Sequence, residues 1–475
     1  MKRFDRRDDE ITWLSLLTLH AWELTKRPAA RNAPVRAGAF SVADRERAVT
    51  SSIGLDFGTT NTVATTINAD GHAEALHFGH DGGTFDAFRS VLCFWEAHEK
   101  GTRRTNVEAG PWAIDQFLEL EGDCRFIQSF KTFAASALFT DTLVYARRLK
   151  FEELLASFLR QVRVRAGVDF PRRVVIGRPV KFAGATPDEA LARTRYEAAL
   201  RAVGFEEIHH VYEPVAAAHF FAQRLNTDVT ILVADFGGGT SDFSIVRFSR
   251  GPNGLNYKPL AHAGVGVAGD AFDHRIVDRV VSPAFGKGSQ YVSWGKVLPV
   301  PNSFFRKFSR WNELSIMRHS PDYRALHQLV GASLEPERIR AFLAFLDADA
   351  GYVMNRAVSA AKVQLSNAEE TRFSLQVADV DIQCTITRAD FESWIAPELA
   401  EIGDCVDRVL RDAECKASDI DRIFLTGGSS FVPAVQRHFE ARFGADKIET
   451  GDQLVSIAYG LALIAQEDDI GRWVL

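Results

Sequence analysis

Cysteine, methionine and long apolar runs are scarce in this sequence of 475 residues, which has five cysteines and three methionines. The cysteines stand far apart and form no CxxC pair, which argues against a disulfide framework and against a cysteine-based zinc site. No run approaches the roughly 20 apolar residues that a membrane span needs. The most apolar stretch, 11–24, contains a histidine and a glutamate and follows three acidic residues, unlike a secretory signal. We therefore expect a cytoplasmic protein without a membrane segment.

An excess of positive charge is also missing. Lysine and arginine total 56 against 62 aspartates and glutamates, so the formal net charge is −6. A strongly basic surface is not implied, and we do not expect nucleic acid as a partner. Hydrophobic residues make up 46% and charged residues 25%, the balance of a globular chain whose length predicts two to four domains.

The pattern of the chain changes at residue 51. We interpret residues 1–50 as an N-terminal extension and linker, with one amphipathic helix at 10–26 followed by a basic stretch rich in proline, alanine and glycine. From residue 51 onward, strand-like and helical segments alternate, which predicts an α/β fold with mixed sheets. Helical patterns lie at about 151–166, 186–203, 214–225, 337–366, 388–413 and 431–443. Strand-like runs lie at 173–177, 230–235, 242–248, 372–378 and 422–426.

An internal repeat is the most informative feature. IGLDFGTTNTVATT at 53–66 and LVADFGGGTSDFSI at 232–245 share the same order: an apolar strand, Asp-Phe-Gly, a turn of glycine and hydroxyl residues, and a second strand. Their aspartates, Asp56 and Asp235, occupy equivalent positions. Two copies at a domain-sized separation predict two related lobes, each of which offers a turn to a shared ligand.

The chemistry of such turns points to phosphate. Glycine allows close backbone approach, and consecutive N–H groups in a turn form a nest that binds anions. Two carboxylates beside the nests can hold Mg²⁺, largely through its waters, and the ion neutralises phosphate charge. The paired turns with Asp56 and Asp235 therefore predict a magnesium-bound nucleoside triphosphate held from both sides. The GxxxxGK[ST] loop is absent, so the phosphate site is of another type.

Five further stretches extend this pattern into a family resemblance. Together with the two turns, VYEPVAAA at 211–218 and FLTGGSSFVPAVQ at 424–436 resemble, in order and spacing, the ATPase module of DnaK-type heat-shock chaperones, in the actin–hexokinase superfamily. FKTFAAS at 130–136, VVIGRPVKF at 174–182 and AHAGVGVAGDAFD at 261–273 are similar to the short, YegD-like branch. The resemblance covers about 51–465. It implies an actin-like ATPase fold: two related lobes, each with a mixed sheet and helices, and a nucleotide cleft between them.

The resemblance also implies domain limits. Lobe I would span 51–228 and contain the first phosphate loop. Lobe II would span 229–450 and contain the second loop and an enlarged insertion at about 281–340. Residues 451–475 would return to lobe I as a helix at about 454–466. The sequence ends at Leu475, so we expect no peptide-binding domain of the family's kind in this chain.

Site residues follow from the resemblance, residue by residue. It implies catalytic roles for Lys131, which would reach the γ-phosphate and the attacking water, for Glu213, which would orient that water, and for Asp235 and Thr240. Asp56 and Asp235 would hold Mg²⁺ through water, and Asp242 matches the last aspartate of the second loop. The implied nucleotide-binding residues are Asp56, Gly58, Thr59, Thr60, Gly237, Gly238, Gly239, Thr240, Lys362, Gly427, Gly428 and Ser429.

The adenine pocket departs from the family pattern. The family holds adenine between an arginine of a helix that reads ERAKR and an arginine after the GGS turn. Here the helix reads SAAKVQLS, so Ser359 and Val363 replace the charged pair and Lys362 is retained. Phe431 follows the turn in place of the arginine. We expect adenine to stack on Phe431, because an aromatic face can serve as a guanidinium does.

The leading interpretation is an ATP-binding, magnesium-dependent and ATP-hydrolysing molecular switch. Its alternatives are an actin-like filament protein, a small-molecule kinase of the same superfamily, and a nucleotide-binding module with little turnover. Lys131 and the EPVAAA helix start favour water as the phosphoryl acceptor. A protein client or co-factor is predicted at 291–311, an aromatic and basic stretch. The residues expected to form this surface are Trp294, Phe304, Phe305, Phe308 and Trp311, with Arg306, Lys307 and Arg310 among them.

Overall fold

The structure is a computed structural model. It describes residues 52–473 apart from gaps at 69–70, 100–101, 121–123, 183–185, 224–226, 252–253, 311–313, 315–316, 319, 378–379, 450–454 and 468. The predicted extension at 1–50, with its helix at 10–26, lies outside the described residues. Within the described part of the chain, no helix is both long and apolar enough to cross a membrane.

The first lobe is built on one mixed sheet. Ser52–Phe57 runs parallel to Arg173–Arg178 and antiparallel to Asn61–Ile67. Nearly all of Ser52–Phe57 is buried, because helices cover both faces of the sheet. Helices Phe151–Ala166 and Glu189–Ala202 contribute side chains to the core on one face, and Glu213–Ala222 and Ser456–Ile464 contribute to the other. The full strand order is Glu207–Tyr212, Arg173–Arg178, Ser52–Phe57, Asn61–Ile67 and Ala73–Ala75, with Phe88–Arg89 paired to Asn61–Ile67.

The second lobe repeats this topology. Val229–Phe236 runs antiparallel to Ser241–Gly251 and parallel to Arg422–Thr426. The strand order is Gly254–Val265, Ser241–Gly251, Val229–Phe236, Arg422–Thr426 and Ile448–Glu449. In both sheets the central strand has two antiparallel neighbours in succession on one side and two parallel strands on the other. The repeat in the sequence is therefore a repeat in the fold, and Asp56 and Asp235 lie near the ends of equivalent central strands.

Further elements surround the two sheets. Lobe I adds a three-stranded sheet and two small hairpins, and lobe II adds two hairpins and a set of helices. The additions in lobe I are Phe78–His80, Gly83–Phe85, Val91–Glu99, Thr102–Ala109, Gly110–Glu119, Arg125–Gln128, Thr142–Val144 and Arg147–Leu149. Those in lobe II are Gly269–Ile276, Ser282–Ala284, Gln290–Ser293, Lys296–Pro299, Pro321–Ala332, Pro336–Asp347, Gly351–Asn367, Glu370–Val377, Val380–Thr387, Arg388–Trp394, Ala396–Asp412 and Pro433–Phe443.

The helix Ser456–Ile464 packs on the sheet of the first lobe. A Cβ placed on Gly54 would lie 2.4 Å from Ala462 N, and one on Gly460 would lie 1.8 Å from Ala216 O. Glycine at both positions permits this close contact. The helix thereby joins the start of the described chain to its end, and its buried residues belong to the apolar core shared with Val233 and Phe424 of the second lobe.

The prediction that residues 291–311 form a partner surface is wrong for the phenylalanines, which are buried. Phe304, Phe305 and Phe308 are 8%, 2% and 3% exposed. Phe305 and Phe308 stack on Phe342 at centroid distances of 5.7 and 5.1 Å. These rings form part of the lobe II core because the turns of Asn302–Arg310 direct them inward.

Two other residues of the stretch 291–311, Trp294 and Lys307, do not belong to this buried cluster of rings. Trp294 is 99% exposed at the tip of the hairpin formed by Gln290–Ser293 and Lys296–Pro299. Lys307 forms an ion pair with Asp322 at 2.7 Å. Trp311 lies outside the described residues. A continuous aromatic surface over 291–311 is therefore not formed by the described part of the chain.

Candidate functional site: a cleft between two glycine turns

The first turn, residues 58–60, joins the strands Ser52–Phe57 and Asn61–Ile67. A Cβ on Gly58 would lie 2.2 Å from Asn61 O, so this tight turn requires glycine. Ser90 fixes the turn from the side, since its N–H donates to Thr60 O at 2.9 Å and its hydroxyl donates to Gly58 O at 2.7 Å. The backbone of the turn is thus held in place without any ligand.

The second turn, residues 237–240, joins Val229–Phe236 to Ser241–Gly251. Gly237 N donates to Thr240 O at 2.9 Å, which closes the turn. Gly238 O accepts from Asp270 N at 2.8 Å, and Gly237 O accepts from Gly269 N at 3.3 Å. The start of the helix Gly269–Ile276 therefore supports this turn as Ser90 supports the first.

The two turns face each other across one cleft. A Cβ on Gly238 would lie 3.1 Å from Thr60 Oγ1, 3.2 Å from Asp270 Oδ1 and 3.4 Å from Thr59 Cβ. Gly238 of the second turn therefore lies close to Thr59 and Thr60 of the first. The backbone groups of both turns line the same cavity.

A buried ion pair lies in the same cleft. Lys131 Nζ donates to Glu213 Oε1 at 2.8 Å, although the residues are 82 positions apart. Lys131 lies in a short 3₁₀ helix, Phe130–Phe133. Glu213 is the first residue of the helix Glu213–Ala222, and Pro214 is the second. Burial lowers the pKa of Lys131, but Glu213 and Asp56 outweigh this effect, so the pKa of Lys131 is raised and the side chain carries its charge.

The carboxyls of the cleft are crowded and shielded from water. Burial, with the negative charge of Glu213, raises the pKa of Asp56 well above its usual range and that of Asp235 to about 6. Asp235 Oδ1 accepts from Thr426 Oγ1 at 2.8 Å. Asp242 is buried behind the cleft, where it accepts from Lys181 N at 3.1 Å, and burial raises its pKa to about 8. Such crowding favours binding of a cation, because a positive charge relieves both the burial and the mutual repulsion.

A third turn, at 427–429, follows the strand Arg422–Thr426. Gly427 has φ +79°, and a Cβ there would lie 2.1 Å from Phe236 O. Only glycine fits this position, both for its backbone conformation and for its contact with the end of the neighbouring strand. The turn is thereby brought next to Gly237, and Ser429 Oγ would lie 2.6 Å from a Cβ on Gly269.

The far side of the cleft is formed by the helix Gly351–Asn367. Lys362 Nζ pairs with Asp273 Oδ1 at 2.9 Å, and Ser359 Oγ donates to Asp273 Oδ2 at 3.2 Å. Val363 lines the cleft as well. Phe431 is half-buried and is not among the residues that line the cleft, so the structure does not bring it into the position expected for stacking on adenine.

The cleft thus brings together most of the residues singled out in the sequence. Those that line it are Asp56, Gly58, Thr59, Thr60, Lys131, Glu213, Asp235, Gly237, Gly238, Gly239, Thr240, Lys362, Gly427, Gly428 and Ser429. Sequence reasoning missed three charged residues of the lining: Arg89, Asp270 and Asp273. Both aspartates lie in the AGDAFD stretch that carried part of the resemblance, so that motif could have found them. Arg89 does not lie in any of the motifs, so no sequence pattern gave a reason to select it.

Comparison with known proteins agrees with this geometry. A family model described as Hsp70 protein matches residues 144–290 and 347–467, which together are more than half of the chain. The matched stretches include the second and third turns and Glu213, and they leave out the first turn and Lys131.

Curated relatives point the same way. The chaperone protein DnaK of Deinococcus deserti is 27% identical over 271 residues, which are 55% of this chain and 34% of that protein. The stromal 70 kDa heat shock-related protein of Pisum sativum, a chloroplast protein, is 28% identical over 280 residues, 58% of this chain and 32% of the relative. The aligned part of the chain therefore spans about a third of the length of the curated relatives it matches.

Proposed function

Since this chain belongs to the Hsp70 family, we propose that it is a molecular switch that binds and hydrolyses ATP with Mg²⁺ in the cleft between its lobes. The observation that carries the proposal is the approach of Gly238 to Thr60, which brings two anion-binding turns to one cavity. The buried pair of Lys131 and Glu213 lines the same cavity.

Binding begins with the backbone of the turns. The N–H groups of residues 58–60 and 238–240 would hold the β- and γ-phosphates from opposite sides, with the Thr59, Thr60 and Thr240 hydroxyls as further donors. The turn at 427–429 would hold the α-phosphate and ribose. Ser90 and the Gly269–Ile276 helix already fix the first two turns, so little ordering cost is left for binding.

The carboxylates of the cleft fit a hard divalent cation. Asp56 and Asp235 offer oxygen ligands of the kind that Mg²⁺ prefers, and their raised pKa values mark a site where a cation would relieve crowded negative charge. When bound, Mg²⁺ would neutralise the negative charge of the phosphates. Thr426 keeps Asp235 in position by donating a hydrogen bond to it.

Hydrolysis would depend on Lys131 and Glu213. Phosphoryl transfer to water is catalysed chiefly by positioning and by stabilisation of charge on the transferred group. Glu213 would orient the attacking water and accept hydrogen bonds from it, while the Lys131 ammonium would lie beside the γ-phosphate. Their ion pair orients both side chains before the nucleotide arrives.

Isothermal titration calorimetry with ATP, ADP, GTP and AMP tests the proposed ligand. With Mg²⁺ present, we expect ATP and ADP to bind, and AMP to bind much more weakly because it lacks the phosphates that the facing turns would hold. Chelation of Mg²⁺ should weaken binding of ATP and ADP. If none of these nucleotides binds, the proposed function is wrong.

A further inference from the structure

The cations of the cleft differ in what they contact. Lys131 is paired with Glu213 at 2.8 Å, and Lys362 is paired with Asp273 at 2.9 Å. Arg89 also lines the cleft, but no carboxylate of the described residues lies within 4.0 Å of its guanidinium. Among the described residues, Arg89 is therefore the cleft cation that has no carboxylate partner and can offer its charge to a ligand.

The backbone of Arg89 is fixed to the first glycine turn. The strand Phe88–Arg89 pairs with the start of Asn61–Ile67, and Arg89 stands opposite Asn61 in the register. The next residue, Ser90, makes the two hydrogen bonds that hold the turn. Arg89 thus occupies a defined position beside a turn that is built to bind an anion.

The side chain uses little of its hydrogen-bonding capacity. Arg89 Nη1 donates to Asn61 Oδ1 at 3.4 Å, a long contact. A guanidinium has five N–H donors arranged in a planar fork. Arg89 lines the cleft together with Asp270 and Asp273, which belong to the other lobe.

Arg89 belongs to lobe I, whereas Lys362 belongs to lobe II. Ser359 and Val363 stand on lobe II where the resembling proteins have charged residues, and Phe431 does not line the cleft. The nucleoside side of lobe II therefore has Lys362 as its basic residue, and Asp273 already pairs with it. A second positive charge comes from lobe I.

We propose that Arg89 binds the phosphate chain of the nucleotide, as a binding residue contributed by lobe I beside the first turn. This proposal rests on the proposed function. A phosphate fits better than a base because Arg89 lies next to the Gly58–Thr60 turn and because a guanidinium fork binds phosphate oxygens in pairs.

The affinity of ADP relative to that of adenosine tests this contact, measured by displacement of a fluorescent nucleotide. We expect Arg89→Ala to weaken ADP binding about 10- to 100-fold, the range of a charge-assisted hydrogen bond. Adenosine, which has no phosphate, should bind both proteins equally. Arg89→Gln, which keeps a donor but loses the charge, should be nearly as weak as Arg89→Ala, and Arg89→Lys should be intermediate.

Two controls separate the outcomes. Arg147→Ala removes an exposed arginine of lobe I and should leave ADP affinity unchanged. Melting curves without ligand check that each Arg89 variant is folded. If wild type and Arg89→Ala bind ADP equally, or if adenosine is weakened as much as ADP, the phosphate contact is wrong while the proposed function stands. If the wild type binds no nucleotide, both proposals fail.

Discussion

Lys131 donates a 2.8 Å hydrogen bond to Glu213, and both side chains are buried in the wall of the cleft. A buried ion pair of this kind costs desolvation energy and is weak evidence for a purely stabilising role. Its position beside two glycine turns that line the same cavity fits a role in chemistry better than a role in packing.

Removal of Lys131 should therefore affect turnover more than binding. We expect Lys131→Ala and Glu213→Ala each to slow single-turnover ATP hydrolysis about 100-fold or more, the usual effect of losing one charge-stabilising group. ATP affinity should change far less, because in the proposed site the turns and Mg²⁺ would hold the phosphates. Lys296→Ala, which removes an exposed lysine of the lobe II hairpin, is the matched control.

Folding must be checked in the same variants. Loss of one partner leaves a buried charge alone, which costs about 3–5 kcal/mol of stability. The double variant Lys131→Met with Glu213→Gln should therefore melt at a higher temperature than Lys131→Met alone. Hydrolysis at the wild-type rate by folded Lys131→Ala would remove Lys131 from the mechanism.

Introduction of a side chain at Gly238 should abolish nucleotide binding. Gly238→Val would place its Cβ about 3 Å from Thr60 Oγ1 and from Asp270 Oδ1, so the added methyl groups would fill the space between the turns. We expect no measurable ATP binding by calorimetry. Gly79→Val is the control, since a Cβ at that strand position meets no atom within 4 Å. Tight ATP binding by Gly238→Val would show that phosphates do not pass between the turns.

The buried phenylalanines at 304–308 should contribute to stability. Phe308→Ser exchanges a fully packed ring for a small polar group, and we expect a loss of about 3–5 kcal/mol in the free energy of unfolding. Trp294→Ser changes an exposed ring and should stay within about 0.5 kcal/mol of wild type. Urea unfolding measures both. Equal stability of the two variants would contradict the packing of Phe308 seen here.

Asp242 should make the ligand-free protein less stable as pH rises. Its pKa is about 8 in the folded chain, because of burial and the charges of Glu213 and Asp235, and about 4 in an unfolded chain. The unfolded chain releases this proton above about pH 4, while the folded state keeps it up to about pH 8, so stability falls between these two pH values and levels off above them. Asp242→Asn cannot ionise, so its melting temperature relative to wild type should be higher at about pH 9 than at about pH 6.5. A difference that is the same at both pH values would contradict the raised pKa.

Much of the fold could be predicted from local patterns. The strand Arg422–Thr426 and the helix Phe151–Ala166 have the limits predicted, because each is a continuous apolar or amphipathic run with clear ends. The helix predicted at 337–366 is instead two helices, Pro336–Asp347 and Gly351–Asn367. Asp349 adopts φ +48° between them, and helical periodicity continues across such a short break, so the pattern does not reveal it.

Residues of the candidate site could be predicted only where a motif occurs twice in the sequence or resembles a motif of a known family. Asp56 and Asp235 stand out because the same strand and turn occur twice. Arg89 does not stand out, since its place in the cleft comes from strand pairing with Asn61, a contact between residues 28 positions apart. The burial of Phe305 could not be predicted either. A stretch rich in aromatic and basic residues can have the same composition whether its rings are exposed on a surface or packed in a core.

Single-turnover hydrolysis of ATP by the purified chain tests the central claim most directly. The reaction uses excess protein, Mg²⁺ and ATP labelled at the γ-phosphate, with folded Lys131→Ala prepared in parallel. We predict release of labelled phosphate by the wild type, a much slower release by the variant, and binding of ATP by both. Binding of ATP without phosphate release, or release at equal rates by both proteins, would contradict an ATPase that works through Lys131 and Glu213.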